Sequence, residues 1–529
     1  MPDYGWLSLL PPLLAIILAI ATRRILWALF LGVVLGAFII AAHQQPFTIT
    51  GILLTATHTV TETFEGHLWP ALADSDHLRV FAFTALMGAM VGVIHRGGGM
   101  QGLVECLLPL ARGRRGGQLV TWLLGLLVFF DDYANTLLLG GTMRPLTDRL
   151  KISREKLAYL VDSTAAPVAG LAIVSTWVAG EIGYIDDGLK AAGIDGGSAD
   201  GFTLFVASIP YRFYVLWALA LVPIVSALNR DFGPMLSAEQ NAQREPNDPG
   251  TAKELNVEQA AHHWVNAVVP VAVVVFGTLA LLLATGRAAL QQDGIAQPTI
   301  LQTFGNGDSY LSLVYGSLAG LIAAWLLARR EKTLTAKELI AAAASGVQVT
   351  LPALAILWLA WSLSGITGDT FLGTGHYLGG QLSRGVPAAW MPSIVFLLSS
   401  VVAFATGTSW GTMGILMPIV IPAMVQIMGV DSDVVQQPVF VATIGSVLAG
   451  AIFGDHCSPI SDTTVLSSAA SECDHVAHVR TQLPYATAVA AVSIICGTIP
   501  AGWNVSPWLL LPTGLAALLA IVLCFGRHP

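Results

Sequence analysis

Apolar runs dominate this chain, and their lengths are those of membrane spans. A helix rises 1.5 Å per residue, so about 20 apolar residues are needed to cross a hydrocarbon core. Runs of this kind lie at 5–22, 25–42, 79–95, 157–180 and 203–228, and again at 264–285, 309–328, 346–365, 438–455, 483–503 and 506–526. The pattern predicts an all-α polytopic membrane protein with about 11 transmembrane helices. Two more apolar stretches, 118–148 and 391–429, are interrupted by polar clusters.

Charge in the loops orders these runs, because cytoplasmic loops are enriched in Lys and Arg. Arg23 and Arg24 place the first short loop inside, and 43–78, with Glu62, Glu65, Asp74 and Asp76, reads as an outside loop. Arg112, Arg114 and Arg115 should be inside, yet so should Arg149, Lys151, Arg154 and Lys156. One span between the two clusters would put one of them on the wrong side. A re-entrant hairpin over 118–148 removes the conflict, since the 13 residues from Gln118 to Phe130 reach past the midplane without crossing. Its turn is expected at 131–136. Stretch 391–429 breaks at 406–412, is followed by Asp431 and Asp433, and reads as a second hairpin, entering from outside.

Segment 157–180 then leads to an acidic loop (Glu181, Asp186, Asp187, Asp195, Asp200), and the polar run 229–262 reads as a cytoplasmic linker. Each half has five crossings and one hairpin. Five is odd, so the second copy is expected to be inverted, as in transporters that hold their site at the midplane. The divisions expected are 1–228, a linker at 229–263, an inverted repeat at 264–503 and an extra helix at 504–529, with the N-terminus outside and the C-terminus cytoplasmic. A direct repeat remains open, through R-E-K-L-A-Y at 154–159 and R-T-Q-L-P-Y at 480–485.

Four polar breaks fall inside the apolar runs. The richest, GDHCSPISDTT at 454–464, follows 16 uncharged residues from Pro438 to Phe453. Ionisable groups at membrane depth cost several kcal/mol and persist mainly where they bind something. Pro459 frees backbone carbonyls there, so Asp455, His456, Ser458, Ser461, Asp462 and Thr463 form an oxygen-rich set suited to a hard cation or a proton. Asp455 and Asp462 are the Na+ candidates. The other breaks supply Asp131, Asp132, Asn135 and Thr136, then Asp162, Ser163 and Thr164, then Thr406, Thr408 and Ser409. Asp131 and Asp132 are adjacent, so on a helix they point about 100° apart. The blander readings are that the hydroxyls bond only their own helix, that Asp162 answers the basic run 149–156, and that 454–464 is a surface loop. His95, His262, His263, His475 and His478 fall at span ends and read as surface residues.

Three stretches, GDHCSPISDTTVLSSAAS, FFDDYANTLLLGGTMRP at 129–145 and REKLAYLVDSTAAPVAG at 154–170, closely resemble the signature of the NhaC-type sodium/proton antiporter family. The resemblance covers most of the membrane chain and implies a sodium- or proton-coupled transporter. It leaves the substrate open, because such families include exchangers of organic anions.

Composition agrees. Of 529 residues, 54% are hydrophobic and 11% charged, where soluble domains carry about 25% charge. The net charge of −8 says little about partners, because the charges of such a chain sit in its loops, and no basic stripe interleaved with aromatics suggests nucleic acid. The five cysteines have no metal spacing; Cys457 beside His456 cannot close a zinc site with chain neighbours alone. No nucleophile elbow, zinc helix motif or phosphate loop supports a membrane enzyme. The expectation is therefore an inner-membrane Na+/H+ antiporter working by alternating access, the alternative being a coupled exchanger or symporter of a small carboxylate or amino acid. No cofactor is expected. The partners are membrane lipid and the transported Na+, H+ or small organic solute, and a homodimer is compatible.

Overall fold

In the computed structural model, residues 4–529 are described apart from 23, 46–47, 108, 110, 195–199, 245–263, 293–302, 304–305, 332, 369, 383–384, 430–436 and 460. Arg23, Asp195, His262, His263, Asp431, Asp433 and most of the linker therefore lie outside the described residues. The first half comprises α1 (Leu10–Thr22), α2 (Ile25–Gln44), α3 (Ile49–Thr61), α4 (Trp69–Ala73), α5 (Ser75–Arg96), α6 (Gly99–Leu107), α7 (Gly113–Leu127), α8 (Asp132–Arg149), α9 (Arg154–Asp162), α10 (Ala166–Ala169), α11 (Val178–Ala191), α12 (Gly201–Ser208), α13 (Phe213–Leu228) and α14 (Gly233–Arg244). The second half comprises α15 (Val265–Gln292), α16 (Ser309–Arg330), α17 (Ala336–Thr367), α18 (Thr374–Leu382), α19 (Met391–Thr406), α20 (Ser409–Met428), α21 (Pro438–Cys457), α22 (Asp462–Ala470), α23 (His475–Val492), α24 (Ile499–Gly502) and α25 (Pro507–Phe525).

Among the described residues, ten helices are long and apolar enough to cross a membrane, eleven if α12 and α13, bent by 49°, count as one span. Their outward faces carry large apolar side chains, among them Phe276, Leu326, Ile340, Trp508, Leu509 and Phe525. Exposed apolar surface of that extent belongs in lipid rather than water. Between helices the contacts use small residues, as membrane bundles do. Gly88 on α5 shows why: a Cβ there would come within 2.8 Å of the Gly346 carbonyl on α17.

Several expectations change. The 157–180 run is not one span: α9 stops at Asp162, α10 is a single turn beginning beside Pro167, and helix resumes only at Val178. Proline and the buried Ser163, Thr164, Ser175 and Thr176 divide it. The expected outside loop 43–78 is mostly helical, through α3, a π-helical stretch Glu62–Leu68 and α4. Its outward Ile49, Ile52, Leu53, Val60 and Phe64 carry an amphipathic signal too short to read as a span. Both arms of 391–429 are long enough to cross.

The acidic loop is also largely absent. Asp186 and Asp187 belong to α11, where Asp186 accepts hydrogen bonds from Gly201 N and Tyr310 OH, both at 2.5 Å, and Asp187 faces His77 at 3.5 Å. The start of the linker is docked rather than loose: Asp231 pairs with Lys156 at 2.5 Å and accepts from Tyr485 OH at 2.6 Å. Glu239 on α14 accepts from Ser153 N at 2.7 Å and from Arg114. Burial pushes the Glu239 carboxyl above its ordinary range, against the opposing pull of Lys156 and Arg114.

Candidate functional site

Pro459 has no N–H and disfavours helix at the residue before it, so α21 ends at Cys457 and Ser458 is extended (φ −77°, ψ 129°). Asp455 and His456 are thus still helical, in the last turn, and the break lies at 458–461. Ser458 Oγ donates to Phe404 O at 2.7 Å, fastening this break to the last turn of α19. Asp455 is buried between the hydroxyls of Ser409 and Ser461. His456 meets Tyr214 OH at 2.8 Å through Nδ1 and Ser163 Oγ at 3.2 Å through Nε2.

Asp162, the last residue of α9, is 1% exposed and fully enclosed. Its carboxylate accepts from Gln482 Nε2 at 2.6 Å and from Thr464 and Ser467 hydroxyls at 3.3 Å, and faces His478 Nε2 at 3.3 Å. Gln482 Nε2 also reaches His456 O at 2.5 Å. Every one of these partners comes from the broken helix 438–470 or from α23, so the two charged breaks interlock.

The acidic break is held differently. Between α7 and α8 the chain leaves the helix at 128–131, and Asn135 Nδ2 lies 2.8, 3.2 and 2.9 Å from the carbonyls of Gly125, Val128 and Thr164. An amide nitrogen has two protons, so three carbonyls share them. The expected turn at 131–136 is corrected on this point, since helix has resumed at Asp132. Asp132 is buried and hydrogen-bonded by the Trp177 indole. Asp131, also buried, lines a cavity of about 410 Å³ with Tyr133, Arg96, Glu338, Ser345 and Thr350.

The fourth break is two residues long, and 409–412 are helical, again shorter than expected. Gly407 is left-handed (φ 69°, ψ 28°), which glycine adopts freely, and Thr408 caps α20 by accepting from Gly411 N at 3.3 Å. Ser409 Oγ reaches Ala451 O at 3.4 Å on α21.

The structure therefore brings all four breaks into contact, but not every candidate residue points inward. Thr136, Thr164 and Thr406 donate to the carbonyls of Asp132, Leu160 and Val402, four residues back on their own helices. Thr463 bonds at 3.0 Å to Ser461, whose hydroxyl is the one that also lies against Asp455. Asp462 is exposed, meets Tyr133 OH at 3.4 Å, and is separated from the buried Asp455 by the break. A helical continuation would have stacked the two on one face; the break ends that relation. Among the described residues no three His, Cys, Asp or Glu side chains form a metal-binding group.

Further buried polar residues border the site. His478, read as a surface residue, is fully buried against Asp162. It stands four positions from Gln482, so the two share one helical face. Arg212, the single charge within the apolar run 203–228, pairs with Glu181 at 2.7 Å with both side chains buried. Its isolation in an apolar run was the available signal. Tyr214 and Trp177 carried no signal of their own.

Broken helices that meet inside an apolar bundle, with buried carboxylates at their breaks, are the frame of a secondary transporter, a multi-pass membrane protein. The profile described as Na+/H+ antiporter family matches residues 168–503, and the chain belongs to that family. It is 33% identical over 522 residues, 98% of this chain and 95% of the relative, to an uncharacterized protein of Haemophilus influenzae. It is 33% identical over 164 residues, 26% of this chain and 32% of the relative, to a malate-2H+/Na+-lactate antiporter of Bacillus subtilis. Among solved structures it is similar to the YdaH transporter of Alcanivorax borkumensis, with a TM-score of 0.56 at 15% identity, covering 96% of this chain and 99% of that one. That likeness concerns the fold alone.

Proposed function

We propose that this protein exchanges Na+ for protons across an inner membrane, by alternating access around the meeting of the four breaks. The observation that carries the reading is the burial of Asp132, Asp162 and Asp455 at three breaks joined by the hydrogen bonds of Asn135 to Thr164, Ser163 to His456 and Thr464 to Asp162. Nearby carboxylates that cannot all stay ionised hold a proton when no cation is present and release it when one binds. Asp455, lying between two hydroxyls, is the favoured cation ligand. Asp162 is already saturated by protein donors and acts instead as the partner of His478. Element order favours a repeat: a helix pair with a polar break precedes a broken helix twice, as α7–α8 before α9 and as α19–α20 before α21.

In reconstituted vesicles, Asp455→Asn should lower cation-driven proton flux at least a hundredfold at matched protein levels. Glu65→Gln, an exposed charge outside the site, should leave it unchanged. Near-parental flux in Asp455→Asn would overturn the reading. The cavity of about 410 Å³ beside Asp131 supports a second reading, in which a small organic carboxylate or amino acid is exchanged, because a bare cation needs no such volume. The Bacillus subtilis relative, named for malate and lactate, points the same way. Solute-driven proton flux in the same vesicles separates the two.

A further inference from the structure

One face of α11 carries three acidic or phenolic groups that the site does not use. Glu181, Tyr184 and Asp187 are spaced three apart, so neighbours lie about 4.5 Å apart along the axis and about 60° apart around it, a row that winds along the helix. All three are at least nine-tenths buried. Each has an oxygen with no hydrogen-bond partner among the described residues: Glu181 Oε1, Tyr184 OH and Asp187 Oδ2. The indole Nε1 of Trp361 is likewise unpartnered and borders the same face, where a Cβ on Gly183 would lie 3.4 Å from it.

A buried polar atom without a partner costs about 1–3 kcal/mol, so three along α11 with a fourth beside them on α17 call for a common explanation. Internal waters satisfy such atoms, each water needing two to four polar partners.

The two ends of the row are chemically distinct. At the outer end, Asp187 Oδ1 faces His77 Nε2 at 3.5 Å, and the His77 ring stacks on Trp361 at 3.8 Å. Lys190, Asp74 and Asp76 surround this end, while Asp186 is occupied by Tyr310 and Gly201. At the inner end, Glu181 Oε2 pairs with Arg212 from α13, and one turn earlier Trp177 holds Asp132. His77 and Arg96 are 19 residues apart on α5, about 28 Å. The outer end of the row is therefore remote from the cavity that Arg96 lines.

We propose that this face of α11, from His77 and Asp187 past Tyr184 to Glu181, is a water-filled proton path that serves the carboxylates at the breaks from the end opposite the cavity. The inference rests on the antiport reading. One proton enters per proton delivered, passed between waters that Asp187, Tyr184 and Glu181 hold in line, and no bond to carbon changes.

Tyr184→Phe removes only a hydroxyl without a protein partner, and Asp187→Asn keeps the side-chain volume. Two fluxes are measured in vesicles: cation-driven proton release, and exchange of radioactive Na+ for Na+ at equal pH on both sides, which needs no net proton. Both variants should lose tenfold or more of the first and keep the second within twofold. Retention of both fluxes, or their parallel loss, would overturn the path. A parent protein that shows Na+ exchange but no cation-driven proton release would overturn the antiport reading, and the path with it.

Discussion

The break at 128–131 and the break at 407–408 both interrupt apolar helices, and both lie against a charged broken helix. They solve the same backbone problem with different chemistry. The first leaves carbonyls of three segments to one amide, Asn135, and places one carboxylate, Asp131, at the end of the gap and a second, Asp132, directly after it. The second needs no amide. Gly407 makes the turn, Thr408 caps the next helix, and Ser458 closes over the Phe404 carbonyl. Where charge must be carried, the gap is longer and cross-braced; where only a helix must restart, two residues suffice. The acidic break is thus suited to hold a proton or cation, and the neutral one to position α20 against Asp455.

The largest expected effect tests that division directly. Asp132→Asn keeps the shape of the side chain and removes an intramembrane charge, so the protein should accumulate normally. Cation-driven proton flux should fall about a hundredfold if the proposed exchange uses this carboxylate. Flux within threefold of the parent would show that the acidic break is no more than a helix start, and the comparison would collapse.

A second, smaller effect concerns the brace. Asn135→Ala strips the carbonyls of Gly125, Val128 and Thr164 of their shared donor. Net hydrogen bonds are worth about 0.5–1.5 kcal/mol and a buried polar group left unpaired costs about 1–3 kcal/mol, so a loss of roughly 2 kcal/mol is expected. Thermal melting in detergent reads it. An unchanged midpoint would mean that the carbonyls find other donors and that the gap is not braced by Asn135.

Much of the bundle was legible in the chain because lipid imposes a simple rule: every backbone group is satisfied within its helix, and apolar length marks the span. The four breaks were legible for the same reason, since Asp131, Asp162, Thr408 and Pro459 violate that rule in apolar surroundings. Their partners were not. Asp162 is enclosed by Thr464, Ser467, His478 and Gln482, all some 300 residues further along. Asp187 read as a loop charge until His77, 110 residues earlier, was found beside it. Loop composition cannot reveal such pairings, because helix packing brings them about. The boundaries moved for a local reason: a polar residue inside a helix, such as Asp132 or Ser409, looks from sequence like part of a turn.

The smallest effect belongs to the neutral break. Thr408→Ala deletes the hydroxyl that accepts from Gly411 N, while Gly407 retains the left-handed turn that sets the direction of α20. Loss of an N-cap costs about 1 kcal/mol, so a modest fall in melting temperature is expected. Ser409 and Ser458 still tie the break to the rest of the site, so Asp455 keeps its neighbours and flux should stay within threefold of the parent. Thr408→Ser should restore the melting temperature, because a serine hydroxyl caps as well as that of threonine. The informative failure is a separation of the two readouts. If Thr408→Ala melts like the parent yet loses more than tenfold in flux at low Na+, with recovery at high Na+, the hydroxyl binds the cation. The neutral break would then be a ligand in its own right, and charge would no longer distinguish the two.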